Sequence, residues 1–149
     1  MKVRHNSNSL EQSGAEHQLL TGLNDKFTLS LQPKSLLLKC GATVELDGYD
    51  PVNCVLCEIY THIGPLKGSQ PDKVASDILK MLLVEKELGG IWRKIYCFAD
   101  QSATHKLRGD SWLACVAKQF GIEPEVVDLP EDIRNMVLNA QERQIMVNK

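Results

Sequence analysis

The stretch VELDGYDPVNCVLCEIYTH, residues 44–62, decides the fold. We predict two strands, over about 43–49 and 54–62. The Asp50-Pro51-Val52-Asn53 segment between them has the chemistry of a turn, with proline preset at the second position. A β-hairpin is therefore expected here.

The hairpin is predicted to bring acidic side chains together. A four-residue loop would pair Asp47 with Glu58, whereas a two-residue loop would place Glu45 opposite Glu58. In either register Asp47, Glu58 and Tyr60 share a face, because side chains repeat every two residues along a strand. Carboxylate oxygens on such a face can converge on one cation.

The sequence near the hairpin contains no positive charge that could compensate these acids. Residues 40–66 contain four acidic residues and no Lys or Arg, and like charges on one sheet face repel each other. A divalent ion that prefers oxygen ligands, Mg²⁺ or Mn²⁺, would compensate them, activate a water and neutralise a phosphate oxygen. The alternative is that the acids are solvated or pair with distant lysines.

Length and composition indicate a soluble globular protein. The chain has 149 residues, 43% hydrophobic and 24% charged. We expect one domain over 1–149, with residues 1–8 flexible and a C-terminal helix within 130–149. The apolar runs are far shorter than the roughly 20 residues of a membrane-spanning helix, and the N-terminus lacks an apolar signal core. A cytoplasmic protein with no membrane partner is therefore expected.

The cysteines favour reduced thiols over a disulfide framework, because there are five of them and they are scattered. Cys54 and Cys57 form a C-x-x-C, but no second pair follows. If both lie on one strand, their spacing places them on opposite faces. Buried structural thiols are the simpler expectation.

The rest of the chain alternates helices and strands. Local signals predict helices over 9–23, from about Ser69 to Gly89, over 111–120 and over 130–146, and strands over 36–40, 91–100 and 124–129. The first of these strands is placed after Pro33, which interrupts the preceding apolar run. This order predicts an α/β protein of the α+β type, with a central mixed sheet flanked by helices.

Asp47, ten intervening residues and then Glu58-Ile59-Tyr60 resemble the motif of the PD-(D/E)XK nuclease superfamily. In that superfamily an Asp ends one strand and a Glu-x-Lys lies on the next. The surrounding order of elements over residues 9–129 is similar as well. The resemblance implies a restriction-endonuclease-like αβββαβ core. It also implies a Mg²⁺ or Mn²⁺ ion ligated by Asp47, Glu58 and the main-chain carbonyl of Ile59.

Two positions depart from that motif. Leu46 precedes Asp47 where the family has proline, and Tyr60 occupies the position of the lysine. The chemistry needs a cation near the attacking water, and in some members the lysine has moved to a neighbouring element. Lys67 and Lys73 follow closely in sequence. Lys73 is the first choice, because a helix fixes its direction whereas a loop residue would have to be ordered.

The helix that carries Lys73 offers further candidates. Lys73, Asp77 and Lys80 fall at i, i+4 and i+7 and form one polar stripe. The simpler interpretation is a solvated face, on which Lys73 and Asp77 form a surface pair of little energetic value. Gln70 could donate a hydrogen bond to the water or phosphate. Glu16 resembles the extra acid that some members use for a second metal.

Basic residues outside the hairpin are candidates for phosphate contacts. They are Lys67, in the loop before the long helix, and His105, Lys106 and Arg108, after the strand that ends near Asp100. Loops also carry charges simply because they are exposed. The net charge is −2, so any nucleic-acid contact would be a local patch. No DNA-binding module is visible, and specificity would come from loops, from a homodimer or from a larger complex.

The expected function is a metal-dependent nuclease that hydrolyses phosphodiester bonds, with DNA as substrate. Asp47, Glu58 and Lys73 are the expected catalytic residues. The accessory candidates are Glu16, Glu45, Gln70, Tyr60 and Asp77. One alternative is a non-catalytic nucleic-acid- or protein-binding relative that lost the lysine. The other is an unrelated α/β protein with thiol or hydrolase chemistry, which no Ser elbow, phosphate loop or histidine-metal spacing supports.

Overall fold

The computed structural model describes residues 7–147, which form five helices, five strands and a 3-10 turn. The elements are α1 (Ser7–Phe27), β1 (Gln32–Leu37), β2 (Thr43–Asp50), β3 (Val55–Tyr60), α2 (Gln70–Leu88), β4 (Arg93–Phe98), the turn Gln101–Thr104, α3 (His105–Arg108), α4 (Trp112–Gln119), β5 (Ile122–Val126) and α5 (Glu131–Val147). The predicted flexible segment falls mostly outside the described residues, although residues 7 and 8 already belong to α1. Within 7–147, no helix combines the length and apolar character needed to cross a bilayer.

The five strands form one mixed sheet in the order β1-β2-β3-β4-β5. β1, β2 and β3 pair antiparallel, whereas β3, β4 and β5 pair parallel. The helix α2 connects β3 to β4, as parallel neighbours require a crossover. The predicted α+β class with a central mixed sheet is confirmed.

Two apolar clusters cover the two faces of the sheet. One contains side chains of α2, α3 and α4, and the other contains side chains of α1 and α5. All six residues of β3 are buried, as expected for a central strand covered on both faces. Leu56 and Tyr60 belong to the α2 cluster, and Cys57 and Ile59 to the α1 cluster. Glu58 therefore lies on a fully buried strand, on the side that faces α2.

The carboxylate of Asp50 fixes the hairpin turn. It accepts hydrogen bonds from the backbone N–H of Ser30 at 2.8 Å and of Asn53 at 3.0 Å, and from Asn53 Nδ2 at 2.8 Å. Burial alone would raise the pKa of Asp50, but these hydrogen bonds outweigh it and lower the pKa. Asp50 pairs with Val55, so the loop has four residues. Of the two registers considered, this is the one that sets Asp47 opposite Glu58.

The edge strands differ from the sequence-based prediction. β1 spans Gln32–Leu37 rather than 36–40, and it contains Pro33. β5 begins at Ile122, two residues before the predicted start, and contains Pro124. Both predictions were wrong because proline was treated as a boundary, whereas an edge strand tolerates it.

The helix α2 matches its predicted limits. Pro71 lies in the first turn, and the helix ends at Gly89, which has φ of 80°. Ser69 is the N-cap residue but makes no capping hydrogen bond with its side chain. Residues 101–108 were expected to be a loop and instead form the 3-10 turn and α3.

Gly48 is a point of close packing between the hairpin and α1. A Cβ atom there would lie 2.9 Å from Cys57 Cβ and 2.9 Å from Leu20 Cδ1. We predict that Gly48→Ala lowers the free energy of unfolding by about 1–3 kcal/mol through overpacking, measured by urea denaturation. Gly14→Ala is the control: in α1 its added Cβ meets nothing within 4 Å, so it should stabilise by about 0.5–1 kcal/mol. A stabilising Gly48→Ala variant would contradict the close packing.

Candidate active site

The site lies where β2 and β3 separate. Their ladder pairs Gly48 with Cys57 and goes no further toward the start of β2. The register with β1 also shifts there: Gln32 pairs with Tyr49 and Lys34 with Leu46, so one residue of β1, Pro33, lies opposite two residues of β2. Such a bulge re-aims side chains and ends strand pairing.

The carboxylate of Asp47 occupies this opening. Its Oδ2 accepts a hydrogen bond from the backbone N–H of Ile59 at 2.9 Å, and its own N–H donates to Glu58 Oε2 at 3.3 Å. Side-chain to main-chain bonds thus replace the strand-to-strand bonds at this point. The predicted convergence of Asp47 and Glu58 is present in the structure.

Glu58 is the buried member of the pair, with only 1% of its side chain exposed. Its Oε1 forms an ion pair with Lys80 Nζ, which comes from α2, and makes no other polar contact with the described residues. The side chain of Lys80 is 28% exposed. The ammonium therefore lies between the buried carboxyl and solvent.

The surroundings of Glu58 favour its neutral form. Burial raises its pKa to about 9, and the adjacent Asp47 carboxylate adds to the rise, while Lys80 opposes it without outweighing it. For Lys80, burial alone would lower the pKa, but contact with Glu58 and the nearby charges of Asp77 and Asp47 raise it. The buried Glu58 carboxyl is therefore harder to ionise than an exposed one.

Two residues of the polar stripe on α2, Asp77 and Lys80, contact residues of the sheet. Lys73 Nζ binds Asp77 Oδ2 at 3.0 Å, and the hydroxyl of the buried Tyr96 donates to the same oxygen at 2.5 Å. Lys73 is 55% exposed. Among the described contacts, Lys80 rather than Lys73 reaches the acidic pair, so the stripe is not simply a solvated surface.

Lys80 and Tyr96 are the site residues that the sequence did not single out. The i+7 spacing from Lys73 indicated that Lys80 lies on the same stripe, but Lys73 was preferred for its closeness to the hairpin. Tyr96 gave no signal, because an aromatic residue in a buried strand indicates core packing.

Two of the accessory acids, Glu16 and Glu45, line a cavity of about 450 Å³ together with Asp47. Glu16 comes from α1, where its Oε1 accepts a hydrogen bond from Gln12 Nε2 at 3.1 Å. Glu45 lies on β2 opposite Ser35 of β1. The cavity therefore gives Asp47 access to solvent between α1 and the antiparallel strands.

The remaining candidates near the hairpin lie at the end of β3. Gln70 accepts a hydrogen bond from the N–H of Lys67 at 2.8 Å, and its Nε2 lies 3.3 Å from His62 Nε2. Burial, with help from Lys67, lowers the pKa of His62. Tyr60 is buried next to them. These residues border a second cavity, separate from the one at Asp47.

The basic candidates after β4 form α3, and all three are exposed. Arg108 is tied to the protein, because it donates to Thr104 Oγ1 at 3.3 Å and to the carbonyl of Pro124 at 2.9 Å. His105 and Lys106 project from the same short helix. None of the described hydrogen bonds or ion pairs joins these residues to Asp47 or Glu58.

The side chains that could bind a metal here are two carboxylates, Asp47 and Glu58. Across residues 7–147, no three His, Cys, Asp or Glu side chains converge to hold a metal on their own. The C-x-x-C does not form a site either, since Cys54 is exposed in the turn and Cys57 is buried. Mg²⁺ is typically bound through one or two carboxylates and keeps several waters. The paired carboxylates of Asp47 and Glu58 match that pattern.

A scan against protein-family models, a search of curated proteins and a search of solved structures each found no match. Any role for the site therefore depends on its own geometry and chemistry.

Glu58 makes the stability of the metal-free protein depend on pH. Its folded pKa lies near 9, above its usual 4.5, so its contribution is complete below about pH 4.5 and is lost as pH rises through 9. Each pKa unit corresponds to about 1.4 kcal/mol. We predict that Glu58→Gln raises the melting temperature in EDTA, by a margin that grows from pH 7 to pH 9.

The measurement is thermal unfolding followed by circular dichroism. The lowered pKa of His62 places its titration below this window. The difference between the two proteins therefore reports Glu58 together with the groups coupled to it, Lys80 and the buried thiol of Cys57. A constant difference across pH 7–9 would show that Glu58 is already ionised in the folded protein.

Proposed function

We propose that this protein is a metal-dependent phosphodiesterase that cleaves nucleic acid, with DNA as the expected substrate. The observation that carries the proposal is the Asp47–Glu58 pair, placed where two strands separate, with Lys80 beside it. A Glu buried on a central strand is unusual unless it is paired, and here it lies beside a second carboxyl and an ammonium. Carboxylates that can hold a metal ion and a nearby cation are groups that can assist hydrolysis of a phosphodiester.

Asp47 and Glu58 would hold the ion, and the carbonyl of Ile59 remains a candidate further ligand. When bound, Mg²⁺ or Mn²⁺ supplies a Lewis acid that neutralises phosphate oxygens and lowers the pKa of water. The protein contributes a rigid frame, because the N–H of Ile59 holds Asp47 at 2.9 Å. Burial on a central strand keeps Glu58 in place.

Lys80 takes the role that the family gives to the motif lysine. Its ammonium already contacts Glu58, and its partial exposure leaves a path toward a phosphate group. There it can orient the attacking water and stabilise charge on the phosphate. Lys73 is engaged with Asp77 instead, so the geometry favours Lys80 for this role.

The element order supports a restriction-endonuclease-like core. One helix precedes a three-stranded antiparallel unit, and α2 then leads to a parallel strand. Asp47 lies next to the part of β2 that pairs with β3, and Glu58 lies on the next strand, an order that resembles the PD-(D/E)XK motif. Tyr60, at the lysine position, is buried and borders the separate cavity at the end of β3.

One observation favours a non-catalytic member of the same fold. The ion pair of Lys80 with Glu58 partly satisfies the buried carboxyl without any metal. If that pair is purely structural, the protein would bind nucleic acid or another protein and cleave nothing. Magnesium dependence separates the two cases.

The full chain is to be incubated with end-labelled single- and double-stranded oligonucleotides, with Mg²⁺, Mn²⁺ or EDTA. We predict cleavage that requires the divalent ion and disappears in Asp47→Asn and Glu58→Gln. The same ion should raise the melting temperature of the parent but not of these variants. No cleavage and no Mg²⁺-dependent stabilisation of the parent would favour the non-catalytic alternative.

The lysines provide a matched pair of variants from one helix. We predict that Lys80→Ala lowers the cleavage rate by about 10²–10⁴-fold, because it removes the charge beside the acidic pair. Lys73→Ala breaks an exposed ion pair and should change the rate by less than about tenfold. The opposite outcome would restore Lys73 as the catalytic lysine.

A further inference from the structure

An exposed tryptophan begins α4, close to the basic residues of α3. Trp112 is 70% exposed, whereas the other tryptophan, Trp92, is 9% exposed and packs in the core. So much exposure is uncommon for tryptophan, which is highly buried on average. No ring–ring or cation–π contact joins Trp112 to another residue within 7–147. Its indole ring is therefore open to a ligand.

Hydrogen bonds to main-chain carbonyls hold α3 and α4 together. Ser111, directly before Trp112, donates from Oγ to the carbonyl of Lys106 at 3.0 Å. From the last turn of α4, Lys118 Nζ donates to the carbonyl of Gly109 at 2.7 Å. Basic side chains from both helices are thus fixed near the tryptophan. We call the four residues concerned the α3–α4 surface: Lys106, Arg108, Trp112 and Lys118.

The three cations of the α3–α4 surface have no carboxylate partner. No ion pair within residues 7–147 involves them, although basic side chains of other elements do form ion pairs. Asp110 is the one acidic residue between 101 and 120. On β5, Glu123 and Glu125 pair with basic residues of other elements. A carbonyl acceptor orders a cation without neutralising it, so the surface keeps its positive charge for a partner.

Charge and aromaticity together favour a single-stranded nucleic acid as that partner. Its phosphate groups would meet the cations, in contacts whose strength falls as salt rises. The exposed indole would give an unpaired base a flat surface on which to stack. A duplex offers the phosphates, but its bases are already stacked and paired. An acidic peptide would also use the charges, but it would give the indole ring no role.

We infer that the α3–α4 surface binds single-stranded nucleic acid, with Trp112 stacking on a base and the three cations contacting neighbouring phosphates. The inference rests on the proposed function for the kind of ligand, but it involves neither the metal nor the acidic pair. Leu107 of α3 and Leu113 of α4 pack into the apolar cluster that also contains side chains of α2. The surface therefore lies on the same side of the sheet as α2, from which Lys80 reaches the acidic pair.

The first experiment measures binding without metal. The full chain, in EDTA and low salt, is titrated into a fluorescein-labelled single-stranded oligodeoxynucleotide, and fluorescence anisotropy gives the affinity. We predict that Trp112→Ala weakens binding about 5- to 150-fold, the loss expected when one base loses its stacking partner. Trp112→Phe keeps an aromatic face and should weaken binding by less than about 5-fold. Leu79→Ala, which removes an exposed apolar side chain of α2, is the control and should bind like the parent.

Tryptophan fluorescence reports on the stacking itself. Unlabelled oligodeoxynucleotide should quench the emission of the parent, because a base would cover the exposed indole of Trp112. The same titration of Trp112→Phe should show no quenching, since the tryptophan that remains, Trp92, is buried. Equal quenching in both proteins would contradict stacking on Trp112.

The phosphate contacts are tested by the salt dependence of binding. We predict that Lys106→Gln weakens binding and lowers the slope of log K against log salt by about 0.7, the value for one phosphate contact on a single strand. Lys86→Gln is the matched control, because Lys86 is an exposed lysine of α2 outside the surface. It should change neither quantity. An unchanged slope in Lys106→Gln would remove this residue from the surface and contradict the inference.

Three outcomes overturn the inference as a whole. They are no binding by the parent at low salt, equal binding by the parent and Trp112→Ala, and equal affinity of the parent for the single strand and a blunt duplex. Equal affinity for polyglutamate or for vesicles of anionic lipid would exclude nucleic acid as the specific partner. Circular dichroism checks folding, and Trp112→Ala should keep the melting temperature of the parent because the side chain is exposed.

The two proposals fail separately. The titration contains no metal, so loss of the α3–α4 surface beside intact Mg²⁺-dependent cleavage leaves the proposed function in place. Asp47→Asn should bind the single strand as tightly as the parent, because Asp47 lies outside the surface. Single-strand binding by a parent protein that cleaves nothing removes the nuclease and keeps the surface.

Discussion

A buried carboxyl group beside a second carboxylate is the constraint on which this structure depends. Glu58 lies on a strand covered on both faces, where an isolated charge would be strongly disfavoured. The protein tolerates it because Lys80 contacts one oxygen and the backbone of Asp47 contacts the other. The raised pKa of Glu58 further reduces the negative charge that has to be buried.

The buried pair of Asp47 and Glu58 also accounts for the interrupted pairing of β2 with its neighbours. Regular pairing of β2 with β3 would continue past Gly48, and the register shift against β1 shows that it does not. The opening lets Asp47 turn its carboxylate toward the N–H of Ile59 rather than into solvent. Strand separation therefore stabilises the acidic pair and also gives it access to the adjoining cavity. Proline at the outer edge of β1 is compatible with this, since no further strand pairs there.

Sequence reasoning predicted the features set by local chemistry. The hairpin, its two acids and the limits of α2 follow from turn residues, proline and glycine that act on their neighbours. The register stayed open because the turn is fixed partly by Ser30, twenty residues before Asp50. For a similar reason, the sequence could not identify Lys80 as the lysine that contacts the acidic pair. Where the tip of a long side chain lies depends on how α2 sits over the sheet, which no local pattern specifies.

If the proposed function holds, Lys80 couples the ion to the chemistry. The Lys80 ammonium contacts Glu58, and 28% of its side chain is exposed. If Asp47 and Glu58 held a divalent ion, the same ammonium would lie beside the ligands of that ion, between the buried strand and solvent. From that position it would supply a positive charge to a phosphate group from a helix rather than from the strand that carries Glu58.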